Sequence, residues 1–95
     1  MRFEWNENKN KLNQKKHGIS FEEAQDVFED PLHLSFIDER FTYFEERWIT
    51  IGQMKKGKVV VAAHIYFNDH EEEVIRIISA RKATTNEKRK YEEIW

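Results

Sequence analysis

Residues 58–81 read KVVVAAHIYFNDHEEEVIRIISAR, and the fold class is decided here. Two runs rich in β-branched and aromatic residues, Lys58–Phe67 and Val74–Arg81, flank a polar break from Asn68 to Glu72 through Asp69-His70-Glu71. Such runs suit the pleated, half-buried surface of a strand, and the break between them predicts a hairpin loop. Upstream lie two more strand-like runs, Arg47–Gly52 and Leu32–Ile37. Gly52 to Gly57, through Gln53-Met54-Lys55-Lys56, predicts a second hairpin loop, and residues 38–46 a longer, partly aromatic connection. Strict alternation puts Val59, Val61, Ala63, Ile65 and Phe67 on one face of their strand and His64 on the other, with Val60, Ala62 and Tyr66. In the last strand it groups Ile75, Ile77, Ser79 and Arg81 against Arg76, Ile78 and Ala80. On that reading Arg76 and Arg81 cannot aim at one spot unless Arg81 lies past the strand end.

Ahead of these strands the pattern is helical. Phe3 and Trp5 alternate with Arg2 and Glu4 as a short first strand, and Asn6 then caps a helix over 7–17. That helix is nearly all polar, with Leu12 its one clear apolar anchor, and Gly18 ends it. Ser20-Phe21-Glu22-Glu23 is a capping box, with Ile19 placed to pack on Ala24 as a staple. Phe21, Ala24, Val27 and Phe28 recur at helical spacing until Asp30-Pro31 stops the helix. Thr84 or Thr85 caps a last helix over 86–94, with Tyr91 and Ile94 on one stripe. Helices followed by consecutive strands predict an α+β fold: two N-terminal helices packed on an antiparallel sheet, with a short C-terminal helix. Ninety-five residues make this one domain, 1–95.

Composition narrows the chemistry. There is no cysteine, so neither a disulfide framework nor a thiolate metal site is available. No apolar run approaches a membrane span, and Met1–Glu7 does not read as a signal peptide, so a cytoplasmic location is expected. The net charge of −2 conceals segregation. Lys9, Lys11, Lys15 and Lys16 fall in a stretch without acids, and residues 19–46 carry nine acids against Arg40 alone. Arg47, Lys55, Lys56 and Lys58 again stand without acids, while Arg76, Arg81, Lys82, Lys88, Arg89 and Lys90 face only Glu87. A near-neutral total of this kind can hold separate basic and acidic faces.

Among the candidate groups, His17, His33, His64 and His70 do not pair at metal-ligand spacing, and no glycine-rich phosphate loop or nucleophile elbow is present, so no metal or other cofactor is expected. RNA cleavage needs less apparatus, because the substrate's own 2′-hydroxyl is the nucleophile. The protein must take one proton, return another, and hold extra charge on the phosphate. Arg47, His64, Arg76 and Arg81 interrupt otherwise apolar strands, where a polar side chain must leave the core face or be paired. Each also admits a structural role. His64 can be a satisfied sheet histidine, and Arg76 and Arg81 can pair with Glu45, Glu46 or the acids at 69–73. Lys16-His17 can simply complement a helix dipole, and Trp48, Tyr66 and Phe67 can be core.

Several runs together resemble the BrnT toxin family. They are Phe3-Glu4-Trp5-Asn6-Glu7, Lys16-His17-Gly18-Ile19-Ser20-Phe21-Glu22-Glu23-Ala24, Val27-Phe28 with Asp30-Pro31, Glu46-Arg47-Trp48-Ile49-Thr50-Ile51-Gly52, Ile75-Arg76-Ile77-Ile78-Ser79-Ala80-Arg81-Lys82-Ala83 and Glu87-Lys88-Arg89-Lys90-Tyr91-Glu92. The likeness implies a RelE-like fold, a ribonuclease without a metal requirement, and a type II toxin–antitoxin operon. It implies as partner a BrnA-like ribbon-helix-helix antitoxin, with operator DNA bound only by the complex. Matched by motif, the family's charged positions fall on Lys16, His17, Glu46, Arg47, Arg76, Arg81 and Tyr91, and the 38–46 and 66–73 loops match least. The expected catalytic set is Arg47, Arg76 and Arg81 on the phosphate, His64 or Glu46 as base, and Tyr91, Lys16 or His17 to donate or position. Lys16, His17, Lys82 and Lys88 are the expected RNA contacts. The alternative is a non-catalytic antitoxin-binding or protein-interaction module.

Overall fold

The computed structural model describes residues 1–41 and 46–93. A five-stranded sheet is built from β1 (Arg2–Glu4), β2 (Leu34–Ile37), β3 (Trp48–Gln53), β4 (Val59–Asp69) and β5 (Glu72–Lys82), in the order β1-β5-β4-β3-β2. The strand order of the hairpins is as expected, but the sheet is mixed: β1 runs parallel to β5, Phe3 beside Ile75. Helices α1 (Glu7–His17), α2 (Phe21–Ala24) and α3 (Asp26–Glu29) precede β2, and α4 (Thr85–Glu92) follows β5. Ile94, expected on the last helix, and residues 42–45 of the long connection lie outside the described residues.

α1 begins and ends where its caps dictate. The Lys9 N–H donates to Asn6 Oδ1, and Gly18 takes the left-handed conformation at φ 71°. Its attachment corrects the expectation for Leu12, which is 66% exposed, while Asn10 and Asn13 are buried. Asn13 Nδ2 donates to the carbonyls of Ile19 and Ala80 at 2.9 and 2.8 Å, and its Oδ1 accepts the Ala80 N–H. Asn10 Oδ1 accepts the Phe21 N–H at 2.8 Å. Two amides, rather than an apolar stripe, thus tie α1 to β5 and to the start of α2, each bond contributing about 1 kcal/mol net.

The Ser20 capping box forms with both reciprocal bonds. The expected single helix from Phe21 breaks at Gln25 into α2 and α3, yet its stripe survives: Phe21, Ala24 and Val27 are fully buried. They pack with Ile19 and Met54 on Val60, Ile75, Ile77 and Ala80, flanked by Phe3, Trp5 and Phe28. The opposite face carries a smaller core of Ile51, Val61 and Tyr91, bordered by Leu34, Ile49, Val59 and Ala83. α4 supplies Tyr91, so helices cover both faces.

Two local features set the register. The β4–β5 hairpin is tighter than expected, turning on His70 and Glu71 at φ 51° and 69°. Farther along, Ala63 pairs with Ser79 but His64 with Ile77, which makes Ile78 an extra residue in β5. The bulge resets the alternation. Ala80 joins Ile75 and Ile77 in the helix-side core, while Ser79 and Arg81 turn to the other face.

Candidate functional site

The bulge overturns the expected separation of Arg76 and Arg81. Arg81 pairs opposite Val61 and Arg76 opposite Ile65, two positions on one face of β4, so both arginines stand on the α4 side of the sheet. They remain roughly 13 Å apart, four residues at the rise of a strand. Arg76 Nη1 donates to Glu4 Oε2 on β1 at 2.6 Å, which holds it at the far side of the sheet.

Arg81 instead joins other cations. A depression of about 220 Å³ is lined by Asp38, Arg40, Arg47, Ile49, Val61, Ala63, Ser79 and Arg81. Its floor is apolar, and three guanidinium-bearing residues from three separate segments surround it. Arg81 is held in a fork: Nη1 and Nη2 donate to Glu87 Oε1 and Oε2 at 2.7 and 2.8 Å. Glu87 also accepts the Thr84 N–H that opens α4, so one carboxylate caps the helix and orients the arginine. The Arg81 guanidinium pulls the Glu87 carboxyl down to about 2. Arg40 is forked to the buried Asp38 at 3.0 and 3.0 Å, and this hydrogen bonding holds Asp38 below the usual carboxylate range. The Asp38 N–H donates to the Arg47 carbonyl at 2.7 Å, which joins the two segments. A wider cleft of about 410 Å³ continues past Arg81 to Glu87, Lys90 and Phe36, with Lys90 Nζ 5.9 Å from the Phe36 ring centre. Arg40 and Asp38 were missed from sequence. The one available signal was a solitary arginine in an acid-rich segment.

His64 is not part of this group. It is fully buried on the helix side of the sheet, edge-on to Phe28 and Tyr66. Its Nε2 lies 2.7 Å from Thr50 Oγ1, which in turn lies 2.7 Å from Ser35 Oγ. Burial pushes the imidazole down to about 4, so it is neutral at pH 7. A neutral, enclosed ring on the opposite face cannot reach the depression that Arg47 and Arg81 line. Tyr91 is 2% exposed, and its hydroxyl donates to Asp30 Oδ2. Burial and that carboxylate raise it to about 12.

The remaining expected residues scatter. Glu46 is exposed beside Arg47 and lines a separate depression of about 640 Å³ with Trp48, Ile65, Tyr66 and Phe67. Lys82 and Lys88 are exposed, at the end of β5 and on α4, but neither lines the Arg81 cleft, and Lys82 pairs opposite the helix-side Val60. Lys16 and His17 close α1, which packs on the helix side through Asn13, so they are not brought to the arginines. Among the described residues no group of His, Asp or Glu side chains is placed to hold a metal ion, and no helix is long and apolar enough to cross a membrane.

Comparison with known proteins matches these features to one family. The crystal structure of the Brucella abortus ribonuclease toxin BrnT superposes with a TM-score of 0.61 at 21% identity, covering 90% of this chain and 99% of that one. The likeness shows a shared α+β fold. No curated protein matches the sequence. The family model described as "Ribonuclease toxin, BrnT, of type II toxin-antitoxin system" matches residues 5–87, from Trp5 in front of α1 to the Glu87 that clamps Arg81. That span covers most of the chain and every strand but β1, and the chain therefore belongs to the BrnT family of ribonuclease toxins, whose members act opposite an antitoxin.

Proposed function

We propose that the chain cleaves RNA without a metal ion at the depression between Arg47 and Arg81, and so inhibits translation and growth. The supporting observation is the convergence of Arg40, Arg47 and Arg81 on one apolar-floored depression, with Arg81 oriented by the Glu87 fork. Guanidinium groups in a fixed fork match phosphate oxygens and stay charged at every physiological pH. In this reading the 2′-hydroxyl attacks phosphorus, the 5′-oxygen leaves, and a 2′,3′-cyclic phosphate forms. Arg47 and Arg81 hold the charge that grows on the phosphoryl oxygens. Glu46, the exposed carboxylate next to Arg47, takes the 2′-hydroxyl proton, and water at the open rim returns one to the 5′-oxygen. Lys88, one residue after Glu87 on α4, extends the positive path, Lys82 adds charge at the end of β5 on the other face, and Arg76 supports the sheet edge through Glu4. The reaction takes place in the cytoplasm. A BrnA-like ribbon-helix-helix antitoxin neutralises the toxin, and the complex binds operator DNA.

Purified protein incubated with RNA in EDTA tests the reading. Cleavage is expected to persist in the chelator, and Arg81→Ala to slow it roughly 10²–10³-fold, the usual cost of removing one transition-state donor. Undiminished cleavage by Arg81→Ala, with the variant folded, excludes Arg81 from the site. A toxin whose RNA cleavage vanishes in EDTA and returns with a divalent ion refutes the metal-free mechanism.

A further inference from the structure

We infer that the depression formed by Glu46, Trp48, Ile65, Tyr66 and Phe67 is a nucleobase subsite. It takes the base on the 5′ side of the scissile phosphate. The inference deepens the proposed ribonuclease reading and rests on it.

The first ground is exposure. Tyr66 and Phe67 are 37% and 38% exposed, among the largest apolar side chains left open among the described residues. Trp48 stands edge-on to Tyr66 with ring centres 5.7 Å apart, which stiffens that wall. Nucleobases stack on such surfaces whatever their sequence, because each has a π-face.

The second is continuity. Arg47 lines the cationic depression, and its two chain neighbours, Glu46 and Trp48, line the aromatic one. A strand of RNA crossing the start of β3 would leave a phosphate at Arg47 and turn the adjoining base round the strand onto the rings.

The third is charge. The rim of the aromatic depression carries the exposed Glu46, which repels a second phosphate and accepts from a hydroxyl or a base N–H. The uncharged part of the nucleotide therefore belongs there. The sequence along the substrate becomes base at the edge of β4 between Tyr66 and Phe67, which lie on opposite faces of that strand, ribose 2′-hydroxyl at Glu46, phosphate at Arg47 and Arg81. That order fixes the stacked base as the one 5′ to the cleaved bond.

Binding and cleavage separate this inference from the reading beneath it. A fluorescent, uncleavable 2′-O-methyl RNA is titrated by anisotropy against the wild type, Phe67→Leu and Tyr66→Ala, each checked for folding by thermal unfolding. Each variant is expected to bind about 10-fold more weakly. A matching series of cleavable RNAs carries one abasic ribonucleotide on either side of the cut site. The 5′ lesion is expected to cost about 10- to 100-fold in kcat/KM and the 3′ lesion much less. Equal binding by the folded variants, or equal cleavage of the two lesions, overturns the subsite while leaving the nuclease intact. Ring-dependent binding by a chain that cleaves no RNA refutes the nuclease and with it the 5′ assignment, leaving only a base-binding surface. Variants that lose only antitoxin binding assign the rings to the partner and overturn the inference.

Discussion

Replacing Glu87 by glutamine should move stability and RNA binding in opposite directions. The carboxylate forks Arg81 at 2.7 and 2.8 Å and accepts the Thr84 N–H at 2.9 Å. Its side chain is 23% exposed and its pKa falls from 4.5 to about 2, chiefly through the Arg81 hydrogen bonds. At about 1.4 kcal/mol per pH unit, that shift corresponds to about 3 kcal/mol. Arg81 is 40% exposed, and solvent screening lowers the figure to about 2 kcal/mol. For a domain of this size that is roughly 8–15 °C in Tm at pH 7. The pH dependence has a fixed sign. A carboxylate whose folded pKa is depressed contributes its full stabilisation above 4.5 and loses it as the pH falls toward 2. Glutamine does not titrate, so the gap between wild type and Glu87→Gln should narrow steadily over that window. The variant also releases Arg81 from an internal anion that competes with phosphate. RNA affinity should rise several-fold, with a steeper salt dependence. Thermal unfolding from pH 2 to 7 and anisotropy titrations at two salt concentrations provide the measurements. A Tm gap that stays constant with pH would refute the ion-pair account, and a loss of RNA affinity would refute the competition.

Three further outcomes follow from the packing. Asn13→Leu should cost about 3 kcal/mol in urea unfolding, because it strands the Ala80 N–H and two carbonyls in the interior, whereas Leu12→Asn should change stability by under about 0.5 kcal/mol. Gly52→Ala should cost about 1–3 kcal/mol, since its Cβ would lie 2.8 Å from both Val27 Cγ1 and the Val27 carbonyl oxygen, with His33 Cβ at 3.3 Å. Replacing His70-Glu71 by Asn-Gly should raise stability by about 1 kcal/mol, because both residues sit at positive φ in a two-residue turn; an unchanged midpoint in chemical denaturation would show that this strain is absent.

Caps and strand runs were legible in the sequence because they depend on neighbours. Asn6, Ser20 with Glu23, and Thr84 with Glu87 all bond within three residues of themselves. The attachment of α1 was not legible, since Asn13 reaches Ala80 across 67 positions and an asparagine in a polar helix looks like surface. The same distinction governs the site. Arg47 and Arg81 stood out as charges on apolar strands, and they do meet at one depression. Asp38 and Arg40 were hidden in a connection whose purpose appears only when β2 and β3 pair. His64 carried the right chemical type but the wrong depth, because pleat alternation gives a face without saying which face faces water.

The bulge at Ile78 explains how one strand serves both the core and the site. Without it, Arg81 would continue the face of Ile75 and Ile77, directed at Val60 and the helices, where a guanidinium would be buried among apolar groups at a cost of several kcal/mol. The strand could avoid that only by giving up its arginine or its two isoleucines. One extra residue removes the conflict. Ala80, small enough to sit beneath α1, takes the core position and offers both its backbone groups to Asn13. Arg81 turns instead to the face where α4 brings Glu87 to receive it. The bulge, the asparagine hook and the Glu87 fork therefore act as one device. Each link has its partner only because the register shift puts consecutive residues of β5 on opposite sides of the sheet, one holding the fold together and the other facing the depression it shares with Arg40 and Arg47.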